Sequence, residues 1–319
     1  MPALRNRLVT VIGGGGFIGR YVCEILLKAG ARLRVAERDP RRAWFLRPLG
    51  EVGQIAFASA DLTRSASLAA AAEGAFAVIN LVGILKGKFH AVHAAGARAA
   101  AEAARDAGAT AFVQVSAIGA DPDSASAYGR SKGQGEAWVR AAFPTATIIR
   151  PSLVFGPEDQ LTNRFASLAQ LPLLPVIAPN TRFQPVYVRD LAQAIAASAL
   201  DPATHGGQTY EIGGPQVMTM RQLNAAIAKE AGQSPGMIDV PNFAADLMSR
   251  FGFLPGSPLT RDQWLMLQSD NVAAPRAQGL EAFGIAPTPL AAVAHQWLGR
   301  FSRGGRFAPL RNDAPNANH

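Results

Sequence analysis

The chain has 319 residues, enough for one large domain or for a domain with a smaller lobe. Hydrophobic residues make up 49%, so a sizeable core can form, yet no run approaches the ~18 consecutive apolar residues of a membrane span. The formal charge of +8 admits an anionic membrane surface or a phosphorylated ligand, but the basic residues are spread without a dense block, which argues against nucleic acid.

Met1–Arg7 leads straight into the first strand pattern, with no secretory apolar region or cleavage site. The single cysteine, Cys23, cannot form an internal disulfide and reads as a small buried hydrophobe. Together these predict a cytoplasmic, reducing location. Leu8–Ile12 is an apolar strand pattern, followed by four glycines and then the helical spacing Ile18, Val22, Ile25, Leu26. Gly13, Gly16 and Gly19 fall three apart, and Gly14, Gly16 and Gly19 also satisfy G-x-G-x-x-G. The first glycine permits a sharp turn, the middle one lets a pyrophosphate approach the backbone, and the last lets the helix pack close to the strand. The helix start then offers free N–H groups and its dipole to phosphate. Gly13, Gly16, Phe17, Ile18 and Gly19 are therefore candidate dinucleotide-binding residues.

Further strand patterns cover Leu33–Ala36, Gln54–Ala58, Ala77–Leu81, Ala111–Val115 and Thr147–Ile149. Helical patterns cover Phe17–Ala29, Pro40–Leu49, Ser65–Ala72, Ala91–Ala107 and Ala127–Ala142. This alternation predicts an α/β fold, a Rossmann-type doubly wound parallel sheet with a smaller C-terminal α/β lobe. After Arg150-Pro151 prolines punctuate the chain. Leu171–Pro179 reads as an apolar loop because three prolines interrupt it. Gln184–Val188 reads as a strand, Asp190–Leu200 as a helix capped by its aspartate, Gln208–Ile212 as a strand and Thr219–Ala231 as a helix with Thr219 as N-cap. The expected division is a nucleotide domain over 1–154, to which 182–200 returns, a substrate or partner lobe over 155–181 and 201–301, and a disordered tail over 302–319.

Candidate site residues fall at the carboxyl ends of the strands, where ligands bind in open α/β sheets. Arg38 comes 19 residues after Gly19, at the tip of the second strand, beside Glu37 and near Arg41 and Arg42. An acidic residue there holds a ribose 2′-hydroxyl and an arginine accommodates a 2′-phosphate. The clustered guanidiniums favour NADP(H) over NAD(H). Asp61 and Leu62 follow the third strand, where Asp61 reads either as an adenine partner or as a helix N-cap. Asn80, Leu81, Val82 and Gly83 end the fourth. Ser116 ends the fifth strand, and Tyr128 and Lys132 stand four apart at a helix start, so they share one helix face. A lysine ammonium beside a phenol favours the phenolate. Such a tyrosine can pass a proton to a carbonyl oxygen that Ser116 also holds. The alternative is that Lys132 holds ribose hydroxyls and Tyr128 packs. His90 and His93 lack the partners for a metal set and read as solvated helix residues.

These residues resemble the extended, atypical branch of the short-chain dehydrogenase/reductase family across nearly the whole chain. The matching positions are Gly13–Gly19, Asp61, Asn80–Gly83, Ser116, Tyr128, Lys132 and Arg150–Gly156. Leu46–Gln54, Phe155–Asp159, Asn163–Ser167, Gln184–Val188, Leu259–Asp262 and Leu280–Pro289 resemble the subfamily of NADPH-binding accessory subunits of mitochondrial complex I and their bacterial relatives. The resemblance implies that Pro151 and Leu153 border a nicotinamide and that Arg38 contacts a 2′-phosphate. It also implies a tightly held, structural NADP(H), with respiratory complex I subunits or a quinone as partners. The Ser116, Tyr128 and Lys132 set implies instead an active NAD(P)-dependent oxidoreductase or epimerase. Leu171–Pro179 and Phe251–Leu259, flanked by Arg182, Arg250 and Arg261, read as peripheral anchors on the cytoplasmic face of the inner membrane or as loops over a pocket.

Overall fold

In a computed structural model that describes residues 6–252 and 259–302, the apolar strand patterns assemble into one parallel sheet of seven strands. These are β1 (Leu8–Ile12), β2 (Arg32–Glu37), β3 (Ile55–Ser59), β4 (Ala77–Asn80), β5 (Ala111–Val115), β6 (Thr147–Pro151) and the strand Thr209–Ile212. Their order across the sheet is β3, β2, β1, β4, β5, β6 and then Thr209–Ile212. β4 and β5 are buried along their whole length, and β1 at all but its first residue, which is why these stretches are apolar throughout rather than alternating.

The connecting helices are α1 (Phe17–Lys28), α2 (Ser65–Ala72), α3 (Gly96–Asp106) and α4 (Ala127–Ala142). On one face, Leu68 and Ala71 of α2, Ala97, Ala100, Ala101 and Ala104 of α3 and Val139 of α4 pack on Val78, Phe112 and Ile148 of the strands. Alanine at the α3 positions lets that helix come close to the sheet. The one hydroxyl inside β1 is satisfied, since Thr10 Oγ1 donates to the carbonyl of Ala71 at 2.7 Å.

Two units divide the chain. The first takes Met1–Ser152, Val188–Gly213 and Ala273–Pro287; the second takes Leu153–Tyr187, Gly214–Val272 and Thr288–His319. In the second unit Asp159 caps the helix Gln160–Leu168, accepting from the Thr162 N–H at 2.6 Å. Thr219 caps the helix Met220–Glu230 with a reciprocal Gln222 contact, as its sequence position predicts.

Several local expectations are corrected. Leu171–Pro179 is not an irregular loop: Leu173–Ile177 pairs in parallel with Gly236–Val240. The pair is two-stranded, so each member is an edge, and an edge tolerates Pro175 because its missing N–H can face away from the partner. Gln184–Val188 contributes only Val186–Tyr187 as strand, paired with Val154–Phe155. The following helix begins at Val188, so Asp190 lies buried in its first turn rather than at its cap. Pro40–Leu49 is helical with the expected bounds, in 3-10 form, with Asp39 as its cap and Pro48 inside it. The Ala91–Ala107 pattern begins as a π-helical turn, His90–Ala95, which runs into α3. Residues 303–319 of the expected tail and 253–258 of the second apolar loop lie outside the described residues.

Candidate functional site

The sheet order reverses between β1 and β4, so the loops leaving these strands open a crevice at their carboxyl ends. Out of β1 the chain turns at Gly13, whose φ of 84° suits glycine alone. The Gly16 N–H closes the turn on the Gly13 carbonyl at 3.1 Å. A Cβ on Gly19 would stand 2.5 Å from the Gly13 oxygen and 2.6 Å from Gly14 Cα, so only glycine lets α1 pack onto its own strand turn. Gly16 is the N-cap of α1 and supplies no side chain to its first-turn N–H groups. Those donors are left for an anion. Phe17 and Ile18 open the helix half-buried. The second loop meets the first here: a Cβ on Gly13 would touch Val82 Cγ2 at 3.2 Å.

At the tip of β2 the two neighbours diverge. Glu37 turns inward, and its Oε1 accepts the Gly15 N–H at 2.7 Å. Burial holds its carboxyl above the usual range, against the pull of that hydrogen bond and of Arg38 and Arg42. Arg38 and Arg42 are exposed, while Arg41 is paired to Asp39 at 2.9 Å. Asp61 caps no helix, because α2 starts only at Ser65 with Arg64 at its cap. Its Oδ1 accepts both the Thr63 N–H at 2.9 Å and the Thr63 hydroxyl at 2.8 Å, which hold its carboxyl below the usual range. Leu62 is buried against Gly96, where a Cβ would stand 2.7 Å from Leu62 Cβ.

After β4, Asn80 is buried. Its Nδ2 donates to Gln114 Oε1 at 2.9 Å and its Oδ1 accepts the Val82 N–H at 3.2 Å, so the loop is bent by its own first residue. Leu81 and Val82 are half-buried, and Gly83 lies against Lys132: a Cβ there would be 3.5 Å from Nζ.

Ser116, at the end of β5, is buried, and its hydroxyl has no hydrogen-bond partner among the described residues. A buried hydroxyl without a partner costs about 1–3 kcal/mol, which a bound polar group would relieve. α4 starts at a Ser126 cap, whose Oγ accepts the Gly129 N–H at 2.9 Å. Its first turns bring Tyr128 and Lys132 to one face, with Nζ 5.9 Å from the Tyr128 ring centroid. Lys132 is buried and donates to the Val115 carbonyl at 3.1 Å. Burial brings its amine down to about 8, opposed by the Glu136 carboxylate. Tyr128 does not show the lowering that a lysine neighbour predicts: burial pushes its phenol up to about 12. The ammonium is spent on Val115 and lies too far from the ring to outweigh desolvation. Pro151 ends β6 and accepts the Ile118 N–H at 3.0 Å. Leu153 opens the second unit and is half-buried there.

Three features escaped sequence reasoning. One is the inward turn of Glu37. Another is an ion triad: the Arg150 guanidinium pairs with Glu136 at 2.6 Å and with Glu211 at 3.2 Å, so the α4 turn after Lys132 is tied to β6. The third is His93, which is buried rather than solvated; His90 alone is exposed. A signal existed, since His93 stands four residues before Ala97 and so continues the buried alanine stripe of α3.

This geometry agrees with the comparisons to known proteins. The family model for the NAD dependent epimerase/dehydratase family matches residues 9–213. This chain belongs to that family. Among curated relatives, it is 34% identical over 292 residues to the rat (Rattus norvegicus) NADH dehydrogenase (ubiquinone) 1 alpha subcomplex subunit 9, mitochondrial, covering 89% of this chain and 77% of that protein. It is 37% identical over 241 residues to the ceramide reductase of Caulobacter vibrioides, covering 74% of each. A solved structure, the NADPH-dependent quinone oxidoreductase QOR2 of Escherichia coli complexed with NADPH, shares the fold. Its TM-score is 0.73 at 22% identity, over 91% of this chain and 99% of that one. The epimerase/dehydratase family and the complex I subunit resemblance thus hold as read, and the fold is that of NAD(P)-binding reductases and epimerases.

Proposed function

We infer that the first unit holds NADP(H) and that the chain serves respiratory complex I or quinone metabolism, with the nucleotide chiefly structural. The observation that carries the nucleotide reading is the glycine corner. Gly13 and Gly19 leave no room for side chains, and the uncapped start of α1 faces the crevice where the β1 and β4 loops meet. Arg38 and Arg42 would receive a 2′-phosphate, and Lys132 with Asn80–Gly83 would flank the far ribose. Glu37 is engaged by Gly15, which draws the acidic side chain away from the competing role of holding a 2′-hydroxyl. The complex I and quinone assignment is supported by the subunit relatives and, at the level of the fold, by the quinone oxidoreductase neighbour. Calorimetric titration of the intact chain with NADPH and NADH tests the nucleotide. Binding of neither at millimolar levels would end this reading. Native mass spectrometry of the protein as purified tests whether a partner subunit accompanies it.

A second reading, an active NAD(P)-dependent oxidoreductase or epimerase, is favoured by Ser116. Its buried, unpartnered hydroxyl stands at the end of β5, whose Val115 carbonyl receives Lys132. A bound nicotinamide would supply or accept hydride. Ser116 would then orient a substrate oxygen, Tyr128 would hold the proton delivered there, and Lys132 would keep the phenol in position. Turnover of NADPH with a quinone or a ketone, lost in Tyr128→Phe with nucleotide binding retained, would decide for this reading.

The location follows as part of the same proposal: cytoplasmic, with peripheral contact to the inner membrane. No helix among the described residues is long and apolar enough to cross a membrane. The second unit exposes Leu171, Leu173, Ile238, Phe243, Leu247 and Phe251. A set of this kind suits an interfacial contact. Co-sedimentation with anionic vesicles at low salt tests it, and a chain left wholly in the supernatant removes the membrane from the account.

A further inference from the structure

The buried imidazole of His93 joins the loop after β4 to the first turns of α4 at the Lys132 end of the crevice. Its Nε2 accepts the Ile84 N–H at 2.9 Å, one residue beyond Gly83. Its Nδ1 lies 2.9 Å from Ser131 Oγ, and that hydroxyl donates to the Tyr128 carbonyl at 2.8 Å. These contacts fix the tautomer twice over. Nε2 is used as an acceptor, so in the neutral ring the proton is on Nδ1. Ser131 has spent its one proton on Tyr128, so it must accept from Nδ1–H. The ring also stacks on Phe89 at 5.6 Å and meets the Tyr128 ring edge-on at 5.2 Å.

The backbone is shaped to admit this arrangement. The π-helical turn His90–Ala95 carries His93, and α4 presents Gly135 where the His93 carbonyl oxygen comes in; a Cβ at Gly135 would overlap it. We propose that His93 is a positioning residue: its neutral ring is the strut that holds the Gly83–Ile84 turn against Lys132 and Tyr128, and so sets the part of the cradle that receives the second ribose and the nicotinamide. A protonated ring would turn Nε2–H against the Ile84 N–H beside the Lys132 ammonium. Burial and that ammonium hold the imidazole down at about 3, so the strut stays neutral across the physiological range.

This inference rests on the dinucleotide reading for its ligand but not for its geometry, and the experiment separates the two. In the unliganded full-length chain, imidazole NMR should show His93 in the Nδ1–H form with no titration between pH 5 and 8, and the Ile84 amide should be protected from exchange. His93→Phe keeps the stacked ring and removes both nitrogens. It should deprotect Ile84 and weaken NADPH and NADH alike, about tenfold, at a temperature where the variant remains folded. Ser131→Ala leaves the ring and its Ile84 contact in place, so His93 should stay in the Nδ1–H form while that N–H loses its acceptor, and both nucleotides should weaken a few-fold. The proposal is overturned by an Nε2–H or titrating His93, or by unchanged nucleotide affinity in the folded His93→Phe or Ser131→Ala chain. Failure of the wild-type chain to bind either nucleotide overturns the dinucleotide reading instead, and leaves the tautomer and the Ile84 amide to judge the strut.

Discussion

The two ends of the crevice are built on opposite principles. At the β1 end the machinery is backbone: Gly13, Gly16 and Gly19 act by what they lack, and the charged side chains, Arg38 and Arg42, stand in solvent. At the α4 end the machinery is side chain: Lys132, His93, Ser131 and Ser116 are buried, the His93 contacts depend on its tautomer and the Lys132 contact on its own charge. The first end should therefore fail sterically and all at once. The second should fail in steps that follow pH and hydrogen bonding.

The sharpest test of the first end is Gly19→Val. The added carbons meet the rigid backbone of the Gly13–Gly14 turn, so nucleotide binding should disappear, with a loss of stability of about 3 kcal/mol or more on thermal denaturation. Retained binding would mean that the corner is not the cradle.

Lys132→Met tests the second end through pH. The folded chain depresses the Lys132 amine from its ordinary 10.5 to about 8, so between these values the unfolded chain binds more protons and wild-type stability rises with pH. The full relief is roughly 3 kcal/mol at most. Denaturant unfolding at pH 7.5 and 10 should show the variant gaining over wild type at the lower pH and losing that advantage at the higher. Parallel pH curves for the two chains would refute the buried-amine account.

Arg38→Ala should weaken NADPH about 10- to 100-fold and leave NADH within a factor of about two, since a charged hydrogen bond to phosphate is worth about 1.5–3 kcal/mol. Equal losses for both nucleotides would remove Arg38 from the 2′-phosphate. The smallest effect is expected of Glu37→Gln. It keeps an oxygen for the Gly15 N–H while removing a charge near the guanidiniums, and it should tighten NADPH only a few-fold by the same titration.

The contrast also explains what could be read in advance. Strands, glycine corner and arginine cluster were legible, because their signals are local: an apolar run, a fixed glycine spacing, a charge at a known offset. Ser116, Tyr128 and Lys132 were legible as positions, but the proton balance of Tyr128 was not. Desolvation depends on what encloses the ring, and Phe89 and His93 come from a different helix. His93 was misread because the absence of metal partners was weighed and its place on the buried stripe, four residues before Ala97, was not. Leu173–Ile177 was misread because its proline count argued against a strand, while its place in a two-stranded pair makes a proline harmless.

The first unit is stitched from three separate stretches of chain, and the ion triad is one of the stitches. Glu211 shares Arg150 with Glu136 and takes the Ala274 N–H on its other oxygen at 2.8 Å, while Tyr210 rests against Phe283. The last stretch is thus fastened to the first unit by contacts of its own. A change of length between residues 214 and 272 would leave each of these contacts in place. A lineage could in this way keep one dinucleotide holder and change its client.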